Sequence, residues 1–589
     1  MSPSVQLSRI QRLLTRPAQP NEVVRVRSWL MISMAIALLY ALPALQEAFQ
    51  SPFVIQDDAR QHVFWMQRFI DPDLFPNDLI ANYFQTVAPA GYTQLYQIAA
   101  WFGCDPMLFH KLLPVVLGVV TAGYCFSVCF KLLPVPAAAC IATILLGQGL
   151  GLTDAIVSAT PKAFVYPLML AFMDAVLRRH RWLTVGAIAL QGLFYPQLVF
   201  LSSGVLLLKL VQWKRGRLCI TDDGGDRTLV FTGLIVAFFI LLPYALQSNE
   251  FGPTITATEA RQLPEFSTLG SRARFFYDDD PATFWLKGRS GLRIATALTP
   301  VTNVLGLLLP LMVWWSRAFP LTRQRRDGLA ILPQLLISSV FWFGAAHLVL
   351  FRLHLPSRYT QHSVRIVLTL AAAIAIVTLI DAVLTWAIAA TQTPSFRRSS
   401  PIRITLAIGL TGLLTVAVFG YPWFVDTFPI TTYQVGRRTE LYKVLRSQPK
   451  DSLIASLSEE ANNIPSFAQR SVVVAQEYGI PYQQGYYSAF RQRIEDMTRA
   501  QYSPDIETLQ SIIQQYGITH WLLDRHAFDP DYIENRLWVR QYPDILASSL
   551  APLERSSRPP ALSARIQSCT MYRGQGVILL EATCLLAEE

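Results

Sequence analysis

Charged residues are scarce in this sequence, and their scarcity excludes an ordinary soluble protein. Asp, Glu, Lys and Arg make up 15% of the 589 residues and hydrophobic residues 52%, whereas about a quarter of an average soluble domain is charged. Apolar runs of roughly 20 residues, long enough to cross the hydrocarbon core of a bilayer, recur along the chain. Two examples are WLMISMAIALLYALPAL and ITLAIGLTGLLTVAVFGYPWF. The composition therefore predicts an α-helical polytopic membrane protein.

Cysteine is also rare, and the spacing of the seven cysteines does not match a metal site. Cys125, Cys129 and Cys140 lie inside apolar runs, where a thiol packs as a small hydrophobic group. Cys569 and Cys584 are the pair that shares a polar region. The sequence therefore leaves a disulfide between these two residues open.

The basic residues predict the orientation in the membrane. Although the net charge is +10, Lys and Arg cluster in short polar gaps between apolar runs, at residues 178–181, 214–217, 323–326 and 397–403. Such gaps are typical of cytoplasmic loops and not of a nucleic-acid-binding surface. Residues 1–28 are polar and lack the pattern of a cleavable signal peptide, so they are predicted to form a cytoplasmic tail. The eleven predicted spans are residues 29–46, 108–130, 134–151, 163–178, 182–195, 197–213, 228–247, 295–315, 329–350, 363–388 and 402–424.

The fifth and sixth spans depend on a proline. The apolar stretch 182–213 is too long for one helix, Tyr195 and Pro196 interrupt it, and both of its flanks are basic. Two short helices that meet near Pro196 put both flanks on the cytoplasmic side. An odd number of spans then places the C-terminal tail outside, together with residues 47–107, 152–162, 248–294 and 351–362.

The chain is therefore predicted to have a membrane domain, residues 29–425, followed by an extracytoplasmic α/β domain, residues 426–589. In the tail, short β-type runs such as SVVVA and THWLLD alternate with amphipathic helical stretches such as DIETLQSIIQQYG. The large external loop 47–107 is rich in Tyr, Phe and Trp. Its helices are predicted to lie in the membrane interface, where amphipathic aromatic helices are stable.

Two adjacent acids open the large external loop. Asp57 and Asp58 precede His62, and the spacing from Asp58 to His62 puts a carboxylate and an imidazole on one face of a helix. An N-cap explains one Asp, and the other is left for a catalytic base or a metal ligand. Asp57, Asp58 and His62 are therefore the candidate catalytic residues. A second acidic run, Asp278–Asp280, is interpreted as a solvated loop surface, with a metal site as the alternative.

Basic residues at the predicted outer face form a candidate phosphate site. Lys162 follows Thr160 and Pro161 at the start of the fourth span, where free backbone N–H groups also attract an anion; snorkelling to the interface is the alternative explanation. The segment FRLHLPSRYTQH, residues 351–362, has more cations than membrane anchoring requires, and arginine matches phosphate oxygens through its planar guanidinium. The candidate substrate-binding residues are Lys162, Arg352, His354, Arg358, Tyr359 and His362, and Arg365 follows them.

The order of these features resembles that of the C-type (GT-C) polytopic membrane glycosyltransferases. A first span, a long external loop with the acid pair DD at 57–58, further spans, the basic motif LPSRYTQH at 355–362 and an external α/β tail follow one another. The resemblance implies an enzyme that moves a sugar from a polyprenyl-phosphate carrier to an acceptor on the outer face of the membrane. It also implies that one of the two acids is the general base.

The resemblance further implies where the phosphate and any metal would bind. Arg358, with Lys162 or Arg352, would face the leaving phosphate, where negative charge increases during the reaction. Some members of the superfamily use a divalent cation and others do not. Binding of Mg²⁺ or Mn²⁺ at Asp58 is therefore left open.

The expected partners are the lipid bilayer, the polyprenyl-phosphate sugar and an acceptor that is a glycan, a lipid or a protein; no nucleic acid is expected. The tail has no WWD-type motif of the oligosaccharyltransferases, which argues against a peptide acceptor. The alternative function is a transporter or flippase, because the broken fifth and sixth spans fit discontinuous helices. Against it, the ionisable residues gather at the outer surface and not in the middle of the membrane. The basic N-terminal tail favours a bacterial inner membrane.

Overall fold

The computed structural model describes residues 3–214, 217–246, 250–267, 274–325, 327–392, 400–555 and 558–587. Apolar helices dominate the chain up to about residue 424, and the longer strands lie beyond residue 450. The long hydrophobic runs of the sequence thus become helices, because a helix satisfies its backbone hydrogen bonds internally where water is excluded.

Each of the eleven predicted spans overlaps a helical segment. Among the described residues, six helices are long and apolar enough to cross a membrane by length and composition: Val23–Ala48, Pro106–Leu132, Gly224–Leu246, Asp327–Leu348, Pro356–Thr391 and Pro401–Phe424. Three shorter apolar helices are Pro136–Gly151, Gln197–Lys209 and Val301–Trp314. Val165–Leu177 and Arg181–Phe194 have 13 and 14 residues. The number of helices that cross the membrane stays a prediction.

One helix forms the centre of this part. In Ser363–Gln392, which has 30 residues, Ile376 and Val377 are fully buried. Val23–Ala48 and Ser400–Gly420 are also strongly apolar, but few of their side chains are buried. A helix that is apolar on all sides is either buried in protein or faces lipid. Ser363–Gln392 is therefore central, whereas Val23–Ala48 and Ser400–Gly420 lie at the perimeter.

The predicted break near Pro196 is confirmed, because Arg181–Phe194 and Gln197–Lys209 are separate helices. Two predicted boundaries are wrong. The sixth span does not continue to residue 213, since Val211–Lys214 is a strand whose sequence alternates apolar and polar residues with a period of two. The eighth span does not begin at residue 295, since its helix starts at Val301, directly after a proline.

The strands form one larger sheet and two small ribbons. Strands β5, β6 and β7 are parallel to one another, whereas β9 runs antiparallel to β7 and β8, so the five-stranded sheet is mixed, with the order β6-β5-β7-β9-β8. Trp521 and Leu522 on β7 are fully buried. The strands are β1 (Val54–Gln56), β2 (Val211–Lys214), β3 (Arg217–Ile220), β4 (Tyr433–Val435), β5 (Leu453–Ser456), β6 (Ser471–Val472), β7 (His520–Asp524), β8 (Thr570–Gly574) and β9 (Val577–Glu581).

Helices and a disulfide surround this sheet. Cys569, directly before β8, is bonded to Cys584 in the helix that follows β9, with their Cα atoms 5.4 Å apart. The sequence had left this pairing open. The helices beyond residue 430 with at least eight residues are Thr439–Arg446, Gln484–Tyr502, Ile506–Tyr516 and Pro543–Arg555. The predicted domain boundary and the external location of this part remain predictions.

The large loop after the first span packs against the C-terminal part. Strand β1 pairs antiparallel with β4, about 380 residues later in the sequence. Tyr83, in the helix Leu79–Val87, stacks on Tyr486 with 3.7 Å between ring centroids. At the end of the next helix, Ala90–Trp101, Trp101 and Phe102 are 84% and 81% exposed. The interfacial position of this loop stays a prediction. This packing fixes the residues directly after β1.

Candidate active site

The backbone holds the two adjacent acids in place. The N–H of Asp57 donates to the carbonyl oxygen of Thr432 at 3.2 Å, which extends the pairing of β1 with β4. Asp58 follows at the N-cap position of the short helix Ala59–His62, but its carboxylate does not accept a hydrogen bond from that turn. Capping therefore does not explain Asp58, and its side chain is directed elsewhere.

Asp58 instead contacts Lys162. The ammonium of Lys162 lies between two carboxylates, that of Asp58, which it contacts directly, and that of Asp154, with 2.7 Å from Nζ to Oδ2. Burial raises the pKa of Asp58, but the charge and hydrogen bond of Lys162, with Arg358 further away, outweigh burial and lower the pKa to about 2. Asp58 is therefore ionised at neutral pH.

Asp57 points to the C-terminal part. Its carboxylate contacts the guanidinium of Arg60, which is only 7% exposed. The same guanidinium is 3.4 Å from Oε2 of Glu477 and donates to Oδ1 of Asn463 at 3.1 Å. The two neighbouring acids thus belong to different sets of contacts.

Lys162 lines a strongly basic cavity of about 100 Å³. Four cations, Lys162, Arg293, Arg358 and Arg365, line it with one carboxylate, that of Asp154, and the carboxylate of Asp58 contacts Lys162 from beside the cavity. Such an excess of positive charge in a confined space favours a phosphate group. We call this space the basic cavity; its lining is Thr153, Asp154, Ala155, Lys162, Tyr166, Arg293, Thr296, Arg358, Gln361, His362 and Arg365.

Hydrogen bonds hold part of the basic cavity rigid. Arg365 donates to the hydroxyl of Tyr166 at 3.0 Å and to the carbonyl oxygen of Thr296 at 2.8 Å. Arg293 donates to Oε1 of Gln361 at 3.0 Å. Nδ1 of His362 lies 3.1 Å from the hydroxyl of Tyr166. The wall is therefore preorganised, which reduces the cost of ordering it around a ligand.

The polar atoms of the wall retain capacity for an anion. Within the described part of the chain, the buried Nε atoms of Arg293 and Arg358 have no hydrogen-bond partner. A buried N–H donor without a partner is costly, and a phosphate oxygen would satisfy it.

On the other side of Asp58 is a second, larger space of about 1010 Å³. It lies between the large loop after the first span and the C-terminal sheet, and both Asp57 and Asp58 line it. We call it the polar cleft; its lining is Asp57, Asp58, Arg60, Arg289, Gln434, Arg438, Ser458, Glu459, Glu460, Asn462, Asn463, Gln476, Glu477, Asp524, Arg525, His526, Tyr532, Arg536 and Gly576.

A third space, of about 100 Å³, lies among Val23–Ala48, Pro106–Leu132 and Pro136–Gly151 and is mostly apolar. It shares Thr153 with the basic cavity. We call it the apolar cavity; its lining is Ala37, Tyr40, Ala41, Ala44, Leu45, Lys111, Pro114, Val115, Gly118, Thr121, Ala122, Thr143, Leu146, Gly147, Leu150, Gly151, Thr153, Ile156, Val157, Pro429, Ile430 and Tyr433.

Some candidate residues lie outside all three spaces. Arg352 is exposed, and the hydroxyl of Tyr359 donates to the carbonyl oxygen of Leu353 at 3.0 Å. The ring of His354 packs on Tyr482 at 5.6 Å, and burial lowers its pKa to about 3. His62 is half-buried, packs edge-to-face on Phe84 and lines neither the basic cavity nor the polar cleft. Asp57, Asp58, Lys162, Arg358 and His362 are the predicted site residues that line the basic cavity or the polar cleft.

Other site residues had no role in the sequence prediction. Asp154 lies eight residues before Lys162 in the same predicted external segment, so the presence of an acidic and a basic side chain there was a usable signal. Arg293 lies near the end of the predicted loop 248–294 and has a left-handed backbone, with φ of 55°. The acidic run Asp278–Asp280 is exposed, in agreement with its interpretation as a solvated surface.

A divalent cation does not fit the residues around Asp58. Mg²⁺ and Mn²⁺ prefer several oxygen ligands, whereas the space between Asp58 and Asp154 holds the ammonium of Lys162. In the ranges that the structure describes, no three His, Cys, Asp or Glu side chains are grouped so as to hold a metal ion. We therefore derive no step through a metal.

Comparison with known proteins identifies the fold. No protein-family model and no curated protein matches the chain. The oligosaccharyltransferase AglB from Archaeoglobus fulgidus, in complex with an inhibitory peptide and a dolichol-phosphate, has a TM-score of 0.50 at 11% identity over 89% of this chain and 72% of AglB. The A. fulgidus oligosaccharyltransferase tethered with an acceptor peptide has the same TM-score and identity, over 88% and 72%.

A third similar structure is the mycobacterial arabinofuranosyltransferase AftD, with a TM-score of 0.48 at 13% identity over 97% of this chain and 40% of AftD. At these identities the likeness concerns the fold alone. The chain has the fold of the GT-C membrane glycosyltransferases, as its sequence resemblance predicted.

Proposed function

We propose that this chain is a membrane glycosyltransferase that moves a sugar from a polyprenyl phosphate to a hydroxyl group of an acceptor. The order of the three spaces carries the proposal. The apolar cavity adjoins the basic cavity at Thr153, and the pair of Lys162 and Asp58 connects the basic cavity to the polar cleft. Hydrocarbon, phosphate and sugar acceptor follow one another in the same order in the reactants.

The basic cavity is the proposed phosphate site. Cleavage of the bond between sugar and phosphate leaves polyprenyl phosphate with an additional negative charge, and fixed cations stabilise this charge as it develops. Arg358 and Arg293 carry the N–H groups that need an acceptor, and Lys162 carries the charge closest to Asp58. The polyprenyl chain would continue from the phosphate along the apolar cavity.

Asp58 is the proposed general base. In a single displacement, the acceptor oxygen bonds to the anomeric carbon, the bond from that carbon to the phosphate oxygen breaks, and its electron pair leaves with the phosphate. The proton of the acceptor hydroxyl goes to Asp58. Because the acceptor attacks in one step from the side opposite the phosphate, the anomeric configuration inverts. Although a carboxylate with a pKa of about 2 is a weak base, the protonated ether formed in this step is a much stronger acid.

Lys162 is the proposed replacement for a metal ion. Its ammonium holds Asp58 and Asp154 together and adds positive charge beside the phosphate site. A divalent cation bound by two loop carboxylates would have the same two effects. Lys162 is thus expected to make the reaction independent of metal ions.

The fold and the predicted topology support the proposed donor and location. AglB, which shares the fold, was solved with a dolichol-phosphate. With residues 1–28 on the cytoplasmic side, Asp58 and the C-terminal sheet would face the outside of a bacterial inner membrane.

The test is sugar transfer in proteoliposomes. The full chain is given radiolabelled polyprenyl-phosphate hexoses and pentoses, with membrane extract as the source of acceptor. We expect labelled acceptor and free polyprenyl phosphate to appear together. Asp278→Asn is the matched control, because Asp278 is an exposed external acid paired with Arg261. Movement of intact labelled donor across the bilayer without release of sugar would contradict the proposal and favour a flippase.

A further inference from the structure

The side chains that line the polar cleft favour one class of ligand. Among its described lining residues, six carboxylates and five guanidiniums stand beside amides and hydroxyls, and no aliphatic side chain is present. A lipid acceptor would need apolar walls, and nucleic acid would be repelled by the carboxylates. A sugar hydroxyl both donates and accepts, so it bonds with carboxylates, guanidiniums and amides alike.

We infer that the polar cleft binds a neutral, hydroxyl-rich glycan. With about 1010 Å³, the cleft is as large as the largest ordinary small-molecule pockets, which reach about 1,000 Å³. It therefore has room for several sugar units. That this glycan is the acceptor rests on the proposed function, whereas its binding to the cleft does not.

The position of the cleft in the sheet supports the inference. Asp524 is the last residue of β7, and Ser458 and Glu459 follow the end of the parallel strand β5. The carboxyl ends of parallel strands are where open α/β sheets bind ligands, because the loops there diverge and leave a crevice. The structure places its densest polar lining at this edge.

The polar groups of the cleft are already fixed. Arg438 lies between two carboxylates, 3.5 Å from Oε2 of Glu460 and 3.5 Å from Oδ1 of Asp524. The hydroxyl of Tyr532 donates to Oδ2 of Asp524 at 2.5 Å. Side chains held in this way keep lone pairs directed into the cleft and lose little entropy when a ligand binds.

One buried group in the cleft has an unused donor. Arg60 is 93% buried, and in the described residues its Nε has no hydrogen-bond partner. Arg60 contacts Asp57, which lies next to Asp58. The guanidinium of Arg60 thus lines the cleft directly beside the acid pair.

The test measures binding without any donor. The full chain in detergent micelles is titrated with fluorescent maltohexaose, mannohexaose and arabinohexaose, and fluorescence anisotropy is recorded. We expect at least one of them to bind and Asp524→Asn to weaken that binding about 10- to 100-fold, the effect of one hydrogen bond to a charged group. Glu459→Gln changes an exposed lining residue without a risk to folding and is expected to weaken binding about 2- to 10-fold.

Asp278→Asn, outside the cleft, is the control and should bind as the unchanged protein does. High salt should leave the affinity unchanged, because a neutral ligand displaces no counterions. The inference is overturned if no oligosaccharide binds, if both cleft variants bind normally, or if the affinity falls steeply with salt. If an oligosaccharide binds but no polyprenyl donor is consumed, the glycan site stands and the proposed transferase function is wrong. If sugar is transferred to a peptide and no oligosaccharide binds, the transferase function stands and the glycan site is wrong.

Discussion

Replacing Asp58 by Asn removes the proposed base while the contacts around it remain. Asn has the same shape, and the ammonium of Lys162 keeps its contact with Asp154 at 2.7 Å. The variant should therefore fold, and its ammonium should still face the phosphate site. The loss measured is the loss of proton transfer and of one negative charge.

The expected loss in kcat is about 100-fold, or about 2.7 kcal/mol in the barrier. General-base catalysis contributes about 10²- to 10⁴-fold, and a base with a pKa of about 2 lies far below the working pH, so the lower end applies. Asp57→Asn removes one of several contacts of Arg60, which keeps Glu477 and Asn463, and should cost no more than about fivefold.

The assay compares initial rates of sugar release in proteoliposomes at saturating donor, with the thermal midpoint of each variant measured alongside. If Asp57→Asn loses about 100-fold and Asp58→Asn stays within about fivefold of the unchanged protein, the base is Asp57 and the assignment is wrong. Full activity of both variants would remove a catalytic role from the pair.

Three other predictions concern the basic cavity. Lys162→Met leaves burial as the main effect on Asp58, so the pKa of Asp58 should rise above the ordinary 3.8. The acid limb of the kcat/KM profile of this variant should therefore move to higher pH. In the unchanged protein the pKa of Asp58 is about 2, so base function should be lost only in stronger acid. Superimposable pH profiles of the two proteins would contradict this. Arg358→Met should raise the donor KM about 10- to 100-fold, whereas Arg352→Met, which changes an exposed residue outside the cavity, should leave it unchanged; equal effects would refute the phosphate site. EDTA should leave the transfer rate of the unchanged protein within about twofold, and a loss restored by Mg²⁺ or Mn²⁺ would contradict the role of Lys162 as the resident cation.

The helices of the membrane part were predictable because their signals are local. A run of apolar residues and the interrupting Pro196 can both be recognised from a short stretch of sequence. They correctly predicted two separate helices, Arg181–Phe194 and Gln197–Lys209. The exact ends were less predictable. Val211–Lys214 is apolar enough to extend a span, and only its alternation with a period of two indicates the strand that it forms.

The site was predictable only in part, because its remaining residues come together through distant pairing. Strands β1 and β4 bring the acid pair to the C-terminal sheet, and no local pattern indicates which loops of the tail will line the cleft. The direction in which each side chain points could not be predicted from the sequence either. Arg358 and Tyr359 are neighbours in one short turn, yet Arg358 lines the cavity and Tyr359 bonds to the backbone of its own loop.

The proposed mechanism requires one donor molecule to contact both the basic cavity and Asp58. The most direct measurement is a cryo-EM structure of the full chain with a polyprenyl-phosphate sugar that it consumes. We expect the phosphate within hydrogen-bond distance of Lys162 and Arg358, with the anomeric carbon facing Asp58. A phosphate bound away from the basic cavity, with its sugar out of reach of Asp58, would contradict it.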